Sequence, residues 1–323
     1  MKKVSRSRAK SYLFESKIPP ALAVKPGERF LLETEDNFAG FVTSDASIPS
    51  LENLAPHSLR DPPEFNPLCG PVYIEEADRG DLLVIHIEEI TPWEFGATSI
   101  VPGLGPFADS RKWPELDQPY SHIIRHLPGP SGTTRDGKAV FSEEVVWELR
   151  PFIGTIGVAP DREVATSLYG QGPWGGNWDC RDLKEGSTLF LNCYHKGGLL
   201  FVGDVHGTQG DTELSGVANE TKANVVLSCE IIKDKRIPYP RIIKKESIVA
   251  LYAARPLEDA VKTSIQYLME WLISEFDMSL REAYLRITTD PDFRINVYQM
   301  VKVGWINYTV GAEYPRKYLQ CQK

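Results

Sequence analysis

The sequence lacks long apolar runs and contains little cysteine. No stretch of about 18 apolar residues occurs, so no transmembrane helix is expected. The 323 residues include five cysteines, and no two of them form a CxxC pair. We therefore expect no disulfide scaffold in a chain of this length, and we predict reduced, partly buried thiols. The cysteines are Cys69, Cys180, Cys193, Cys229 and Cys321.

Positive charge is also scarce. The formal net charge is −8, and the one basic run is KKVSRSRAK at residues 2–10. An acidic chain without a basic stripe is a poor partner for nucleic acid or for an anionic membrane. Because no apolar stretch follows the basic run, we expect no secretion signal and a cytoplasmic location.

Motifs of several common enzyme classes are missing. The chain contains no GxSxG elbow, no GxxxxGK[ST] loop and no HExxH. A serine-hydrolase elbow, a phosphate-binding loop and a zincin helix are therefore not expected. Any chemistry must come from another arrangement of polar residues.

Most of the chain has the pattern of short strands separated by Gly/Pro turns. The predicted strands are rich in β-branched and aromatic residues, and they alternate apolar and polar positions. They fall in residues 30–36, 71–90, 145–150, 187–195 and 224–232. Residues 92–142 contain many prolines and glycines, so we predict long loops there that cover a pocket. The expected fold is mainly β, with a sandwich-like or barrel-like core.

The carboxyl-terminal part changes to a helical pattern. Residues 258–276 carry apolar side chains at helical spacing, which predicts an amphipathic helix. Ser279, with Glu282 three residues later, has the pattern of a capping box at the start of a second helix. We therefore divide the chain into a mainly β catalytic core, residues 1–245, and a smaller helical and mixed α/β part, residues 246–323.

Polar residues gather in GGNWD (175–179) and GDVHGTQGDTE (203–213). In an extended segment, residues two apart point to the same face, so such pairs can direct their side chains toward one point. A set that mixes histidine and carboxylates suits zinc, whereas a set of oxygen atoms alone suits calcium or magnesium. Taken singly, each carboxylate is better explained as a solvated turn residue than as a ligand. The pairs are Asn177 with Asp179, Asp204 with His206 and Asp211 with Glu213, and Glu220 follows them.

Several segments in order resemble the metal-dependent acetamidase/formamidase family. The matching stretches include PALAVKPGERFLLETED (20–36), NPLCGP (66–71), PFIGTIGVAP (151–160) and the GGNWD-to-ANET region (175–221). The likeness is collinear from about residue 19 to 232 and weaker to about 303. It implies hydrolysis of a short linear amide to carboxylate and ammonia. It also implies a mainly β core with a smaller α/β part, and a homo-oligomer such as a dimer.

The resemblance also assigns roles to residues. It implies a divalent metal, zinc ahead of calcium, and it implies that Glu220 acts as general base. The implied metal ligands are Asp36, Asn177, Asp179, Asp204 and His206. The other implied catalytic residues are Asp204 and Asp211, and the implied substrate-binding residues are Trp178, Gln209 and Glu213.

A second hypothesis remains open. Trp178, Gly207 and Thr212 depart from the family pattern. A divergent β protein of the same fold could bind a metal or a ligand without turnover.

Overall fold

Strands dominate the structure, as the alternating apolar positions predict. The computed structural model describes residues 1–7, 10–47, 53, 57, 60–107 and 110–319. The strands are β1 (Lys2–Val4), β2 (Leu13–Phe14), β3 (Leu22–Val24), β4 (Phe30–Thr34), β5 (Leu68–Ile74), β6 (Leu82–Pro92), β7 (Phe95–Ile100), β8 (Tyr120–Leu127), β9 (Lys138–Val140), β10 (Val146–Glu148), β11 (Phe152–Val158), β12 (Ala165–Thr166), β13 (Gln171–Gly172), β14 (Gly175–Asn177), β15 (Thr188–Asn192), β16 (Leu200–His206), β17 (Glu220–Thr221), β18 (Ala223–Ile232), β19 (Arg241–Ile243), β20 (Ser247–Ala254), β21 (Arg294–Gln299) and β22 (Tyr308–Pro315). Each of the predicted strand segments contains at least part of a strand, so those predictions are confirmed.

Two large sheets share one hydrophobic core. The first has the strand order β1-β4-β18-β6-β15-β19-β20-β22-β21, and the second has β10-β9-β8-β7-β17-β16-β11-β14-β13. Strand β5 joins the second sheet through β16 and pairs with β3, while β2 and β12 form a separate pair. Ile85 of the first sheet and Phe201 of the second are both fully buried in this core. The prediction of a mainly β fold is confirmed.

Helices follow the strands near the carboxyl end. They are α1 (Leu257–Phe276) and α2 (Leu280–Thr289), with short 3-10 turns at Pro114–Asp117, Thr134–Asp136, Asp211–Glu213 and Arg316–Tyr318. Helix α1 buries Ala260, Leu268 and Leu272 at helical spacing and packs on β20 and β22. Ser279 accepts a hydrogen bond from the Glu282 backbone N–H at 3.2 Å, which confirms the predicted cap. No helix in the described ranges combines the length and apolarity needed to cross a membrane.

The prediction of long loops across residues 92–142 is wrong in part. The segment contains β7, β8 and β9, which form one side of the second sheet. Small and polar residues occupy buried positions there, such as Ala97 and the Ser99–Ser121 pair, whose hydroxyl oxygens lie 3.1 Å apart. An apolar alternation is therefore weak, although the backbone is extended. Parts of the segment do line a cavity, described below.

The predicted division at residue 245 falls inside the first sheet. Strands β19 and β20 lie on either side of it and pair antiparallel, with Arg241 opposite Ala250. The two-part description of the chain stays a prediction. Among the cysteines, Cys69, Cys180, Cys193 and Cys229 are free and buried, and Cys321 lies outside the described residues.

Candidate active site

Sheet register brings the polar residues of three strands together. Strand β16 carries Asp204 and His206, and His206 is paired across the ladder with Glu220 of β17. On the other side, β16 pairs with β11, and β11 pairs with β14. Asp179 follows β14 after one intervening residue. Segments distant in sequence therefore meet at one point in the middle of the second sheet.

The side chains form a buried cluster around His206. Its Nε2 lies 3.2 Å from Glu220 Oε2, 3.3 Å from Asp204 Oδ1 and 3.9 Å from Asp179 Oδ1. All of these side chains are at most 5% exposed. Glu213 is buried as well and offers a carboxylate oxygen to the same place, since ligand atoms of Asp179, His206 and Glu213 lie within 4.8 Å of one another. Two sets that share His206 are therefore each compact enough to hold an ion, Asp179–His206–Glu213 and Asp204–His206–Glu220.

Three atoms in the middle of the cluster have no hydrogen-bond partner. They are Asp204 Oδ1, His206 Nε2 and Glu220 Oε2, and they face one another. The remaining carboxylate oxygens are satisfied: Glu220 Oε1 accepts from Ala218 N at 2.9 Å, and Asp204 Oδ2 lies 3.0 Å from the Thr155 hydroxyl and 3.2 Å from Asn66 Nδ2. Unpaired polar atoms are costly to bury unless a cation or protons join them. The residues present therefore fit a divalent metal ion.

Gln209 fixes the tautomer of His206. Its amide Nε2 donates to the backbone carbonyls of Asp179 and Tyr298, each at 2.9 Å. Its Oε1 must therefore accept, and His206 Nδ1 donates to it at 2.8 Å. A neutral imidazole with its proton on Nδ1 presents the Nε2 lone pair to the carboxylates, as a metal-binding histidine requires.

Replacing Gln209 with leucine should weaken metal binding. The Gln209→Leu variant loses the acceptor for His206 Nδ1, so the tautomer and the ring orientation are no longer held. We expect metal affinity to fall about 10- to 100-fold, measured by competition with a fluorescent chelator. Gln266→Leu is the matched control, because Gln266 lies on exposed helix surface and bonds Glu270 at 2.9 Å. Equal affinities for the two variants would contradict this role of Gln209.

Backbone conformation, rather than extended spacing, aims the two aspartates. Asp179 and Asp204 have φ angles of 46° and 55°, in the left-handed region that non-glycine residues seldom adopt. They converge beside Gly154, where a Cβ would lie 2.7 Å from Asp204 O, 2.8 Å from Asp204 Oδ2 and 2.9 Å from Asp179 Oδ1. The Gly154 carbonyl also accepts from the backbone N–H groups of Trp178 and Asp179. Only glycine leaves room for both carboxylates here.

Burial and mutual charge shift the acidities within the cluster. Burial raises the pKa of Glu220 to about 8 and that of Glu213 to about 7, and it raises the pKa of Asp179 well above its ordinary value. Burial alone would lower the pKa of His206, but the charges of Glu220 and Asp204 outweigh it and raise that pKa. Burial would raise the pKa of Asp204, but the charge of His206 and hydrogen bonds lower it. Without a metal, protons must supply the positive charge that the cluster needs.

Two predicted site residues lie outside this cluster. Asp36 is buried, accepts from Gly40 N at 2.9 Å and lines a small separate cavity with Trp93 and Glu220. Burial raises its pKa to about 6, but it is not among the converging ligand atoms. The Asp211 side chain is 67% exposed and pairs with Arg181. The roles of Asp36 as ligand and of Asp211 as catalytic residue stay predictions, which these positions do not favour.

Three further residues adjoin the cluster, and their roles as ligand or substrate-binding residues stay predictions. Asn177 Oδ1 lies 2.9 Å from the Thr155 hydroxyl and its Nδ2 donates to Leu168 O at 3.0 Å, so both ends of its amide have neighbours within the protein. The polar atoms of Gln209 are occupied in holding His206. Trp178 is fully buried in the core against Tyr239, with ring centroids 5.6 Å apart, and does not line the large cavity beside the cluster. The left-handed turn at Asp179 explains why neighbours in sequence point to different places.

Sequence reasoning missed three supporting residues. Asn66 and Thr155 hold Asp204, and Gly154 makes room for it. All three lie in the stretches NPLCGP and PFIGTIGVAP, which carried the resemblance. Those stretches contain no acidic residue or histidine, so a search for ligands passes over them.

A cavity of about 870 Å³ opens beside the cluster. Glu213 is the cluster carboxylate that lines it, together with Thr208 and Gln209 of the loop after β16. Leu104, Phe141 and other apolar side chains from β7–β10 and their connections form another wall. A molecule in this cavity can reach Glu213 and the cluster behind it.

The chain is similar in sequence to a family of known proteins. The model of the acetamidase/formamidase family matches residues 7–171 and 170–256. An acetamidase of Mycolicibacterium smegmatis is 26% identical over 251 residues, which cover 61% of this chain and 59% of that protein. The match spans 58–62% of the length of the curated relatives.

Solved structures extend the similarity to nearly the whole chain. The acetamidase of Bacillus halodurans superimposes with a TM-score of 0.84 at 25% identity and covers 98% of both chains. The acetamidase of Yersinia enterocolitica gives a TM-score of 0.85 at 28% identity, covering 99% of this chain and 93% of that one. The fold, including the carboxyl-terminal helices, is therefore common to these proteins.

Proposed function

We propose that this chain, which belongs to the acetamidase/formamidase family, is a metal-dependent hydrolase that cleaves the carbon–nitrogen bond of a linear amide. The products are the carboxylate and ammonia. The observation that carries the proposal is the set of three unpartnered atoms, Asp204 Oδ1, His206 Nε2 and Glu220 Oε2, buried beside an accessible cavity.

These same atoms would hold the metal, with Asp179 as a further ligand. One histidine nitrogen with several carboxylate oxygens is a donor set that zinc accepts readily, whereas calcium prefers oxygen alone. We therefore favour zinc. When bound, such an ion polarises the amide carbonyl and lowers the pKa of water.

Glu213 is the carboxylate that we assign as general base. Its pKa of about 7 suits proton transfer near neutral pH, and it lines the cavity in which an amide would lie. The Glu213 carboxylate takes a proton from the attacking water and passes it to the leaving nitrogen, so that ammonia departs as the carbon–nitrogen bond breaks. Glu220, for which the sequence predicted this role, is assigned instead to the ligand set because its free oxygen faces His206.

The backbone around Glu213 supports this assignment. Thr212 and Glu213 both have positive φ angles, 72° and 47°. Two consecutive left-handed residues are held only where the surroundings require them, and such conformations concentrate at functional sites. Thr212, which departs from the family pattern, adopts this left-handed conformation although its side chain is β-branched.

Metal analysis and ammonia release test the function together. Protein purified without chelator is expected to contain a stoichiometric divalent metal and to release ammonia from members of a panel that includes formamide, acetamide and larger primary amides. Chelation followed by zinc addition should remove and restore the activity. Bound metal without ammonia from any amide would favour the non-catalytic binding protein, and absence of both would overturn the proposal. A homodimer and a cytoplasmic location stay predictions, the first to be measured by light scattering.

A further inference from the structure

The cavity beside the cluster is much larger than a one- or two-carbon amide requires. Its volume is about 870 Å³. Cavities of about 300–1,000 Å³ are typical of sites that enclose drug-sized ligands. Acetamide has only a few heavy atoms, so it would leave most of this volume to water. The rest of the lining therefore indicates what else the substrate carries.

One wall of the cavity is apolar and exposed. Phe107, Phe141, Trp147 and Leu214 are 37–51% exposed, although they are large apolar side chains. Trp147 packs against Phe141 with ring centroids 5.6 Å apart. Contiguous exposed apolar surface inside a concave site is typical of a ligand-binding wall.

A hydrogen bond connects the apolar wall to the loop that follows the cluster residue His206. Trp147 Nε1 donates to the Thr208 hydroxyl at 3.2 Å, and Thr208 lies two residues after His206. An amide held at Glu213 would therefore extend its substituent along Phe141 and Trp147. Aromatic rings stack favourably on such a surface.

Unpaired cations line the same cavity. Neither Arg150 nor Lys184 makes an ion pair within the part of the chain that the structure describes, although both line the cavity. Arg181 and Lys244, in contrast, pair with Asp211 and with Asp182. Arg150 is anchored beside the site, because its backbone N–H donates to Gly207 O at 3.0 Å. A guanidinium without a protein partner in a binding cavity is suited to a carboxylate on the ligand.

Acidic residues of the lining oppose this charge. Glu148 lines the cavity and has no ion-pair partner in the described ranges. Glu213 also lines the cavity without an ion-pair partner in the described ranges, so two unpaired cations face two unpaired acidic residues. The Arg150 guanidinium is thus a group of this cavity that is free to bind an anionic part of a ligand, while Glu213 is the acid that we assign to the reacting amide.

Resting on the proposed function, we infer that the substrate is an amide with an aromatic body and a terminal carboxylate, bound by Trp147 and Arg150. The amide group lies at Glu213, the ring lies on Phe141 and Trp147, and the carboxylate faces Arg150 and Lys184. This assigns a substrate class to the chain, and it makes Trp147 and Arg150 specificity-determining residues.

A matched amide series tests the inference on the zinc-loaded protein. The compounds are acetamide, phenylacetamide and phenylacetamide carrying either a para-carboxylate or a para-aminomethyl group. We expect kcat/KM to be highest for the carboxylate and lowest among the aryl amides for the ammonium compound. Phenylacetamide should exceed acetamide about 10-fold or more.

Two variants separate the contributions of charge and ring. Arg150→Gln should lower kcat/KM for the carboxylate compound about 10-fold more than for phenylacetamide. Trp147→Leu should lower the ratio of phenylacetamide to acetamide. Arg162→Gln and Trp305→Leu are the controls, since the Arg162 side chain and Trp305 are 92% and 84% exposed. Glu148→Gln should raise the preference for the carboxylate compound.

The outcomes distinguish failure of the inference from failure of the function. Acetamide cleaved as efficiently as the aryl amides would overturn the substrate class and leave amide hydrolysis intact. A Trp147→Leu variant with altered oligomeric mass but unchanged substrate ratio would overturn it too, since the wall would then be a subunit contact. If no amide is cleaved, the proposed function fails. In that case, calorimetry measures binding of para-carboxyphenylacetate to the unaltered chain and to Arg150→Gln. Equal affinities would overturn the inference as well.

Discussion

Replacing His206 with alanine is expected to abolish zinc binding and ammonia release together. The imidazole is the single nitrogen donor of the cluster, and its Nε2 lies within 3.2–3.9 Å of three carboxylates. Loss of a residue that merely supports a ligand costs about 10- to 100-fold in affinity, so loss of the ligand itself should cost more than about 100-fold. The metal content after dialysis, measured by mass spectrometry, and kcat/KM for the best amide should fall in parallel.

The variant is also expected to fold. Without the imidazole, the buried carboxylates lose a cationic partner, but they can be neutralised by protons, because burial already raises the pKa of Glu213 and Glu220. Circular dichroism at pH 6 is the check. His195→Ala is the matched control, since His195 bonds Pro160 O at 2.6 Å and has no part in the cluster. A His206→Ala protein that keeps its metal and its activity would remove the basis of the proposed function.

Much of the candidate site could be predicted because most of its acidic residues and its histidine are concentrated in two short motifs. Asp179, Asp204 and His206 are acidic residues and a histidine between glycines, and the structure brings them to one point with Glu220. The argument that two-residue spacing makes these side chains converge was nevertheless incomplete. A two-residue repeat assumes extended backbone, whereas Asp179 and Asp204 have positive φ.

The same assumption explains the residues that were misplaced. If residues 177–179 were extended, Asn177 would face the cluster together with Asp179. Instead the chain turns at Asp179, so that Asn177 bonds Thr155 and Trp178 enters the core. Backbone conformation of this kind depends on the neighbouring strand at Gly154, which sequence spacing does not reveal.

Long-range pairing limited the other predictions. Strands β7 and β8 carry small and hydroxyl side chains at buried positions, so their pairing in the sheet could not be read from apolar alternation. The helices were easier to predict from the sequence, because apolar spacing and the Ser279 cap are local features. Local sequence patterns identified individual helices and strands. The register that joins β16 to β17 and β11 depends on long-range strand pairing, which these patterns do not specify.

The metal-free protein is expected to lose stability as the pH rises from about 5 to about 8. The pKa of Glu220 is raised from 4.5 to about 8 and that of Glu213 from 4.5 to about 7 in the folded chain. A group with a raised folded pKa contributes stability that is fully present below its unfolded pKa and is lost as the pH passes the folded pKa. His206, whose pKa is also raised, acts in the same direction above pH 6.5. Asp204, whose pKa is lowered, acts in the opposite direction but below its ordinary value of 3.8.

Thermal unfolding of chelated protein should therefore give a Tm at pH 9 that is lower than at pH 5.5 by on the order of 5 °C. Glu220→Gln removes one buried negative charge, so this variant should be more stable than the unaltered chain at pH 9 without metal. Glu246→Gln is the exposed control, with its side chain 83% exposed, and should leave the slope unchanged. Zinc should reverse the trend, because its ligands bind only when deprotonated and its stabilisation grows with pH. If the Tm of chelated protein instead rises steadily up to pH 9, the buried carboxylates do not share protons in the metal-free state. The argument that the cluster needs a cation would then fail as well.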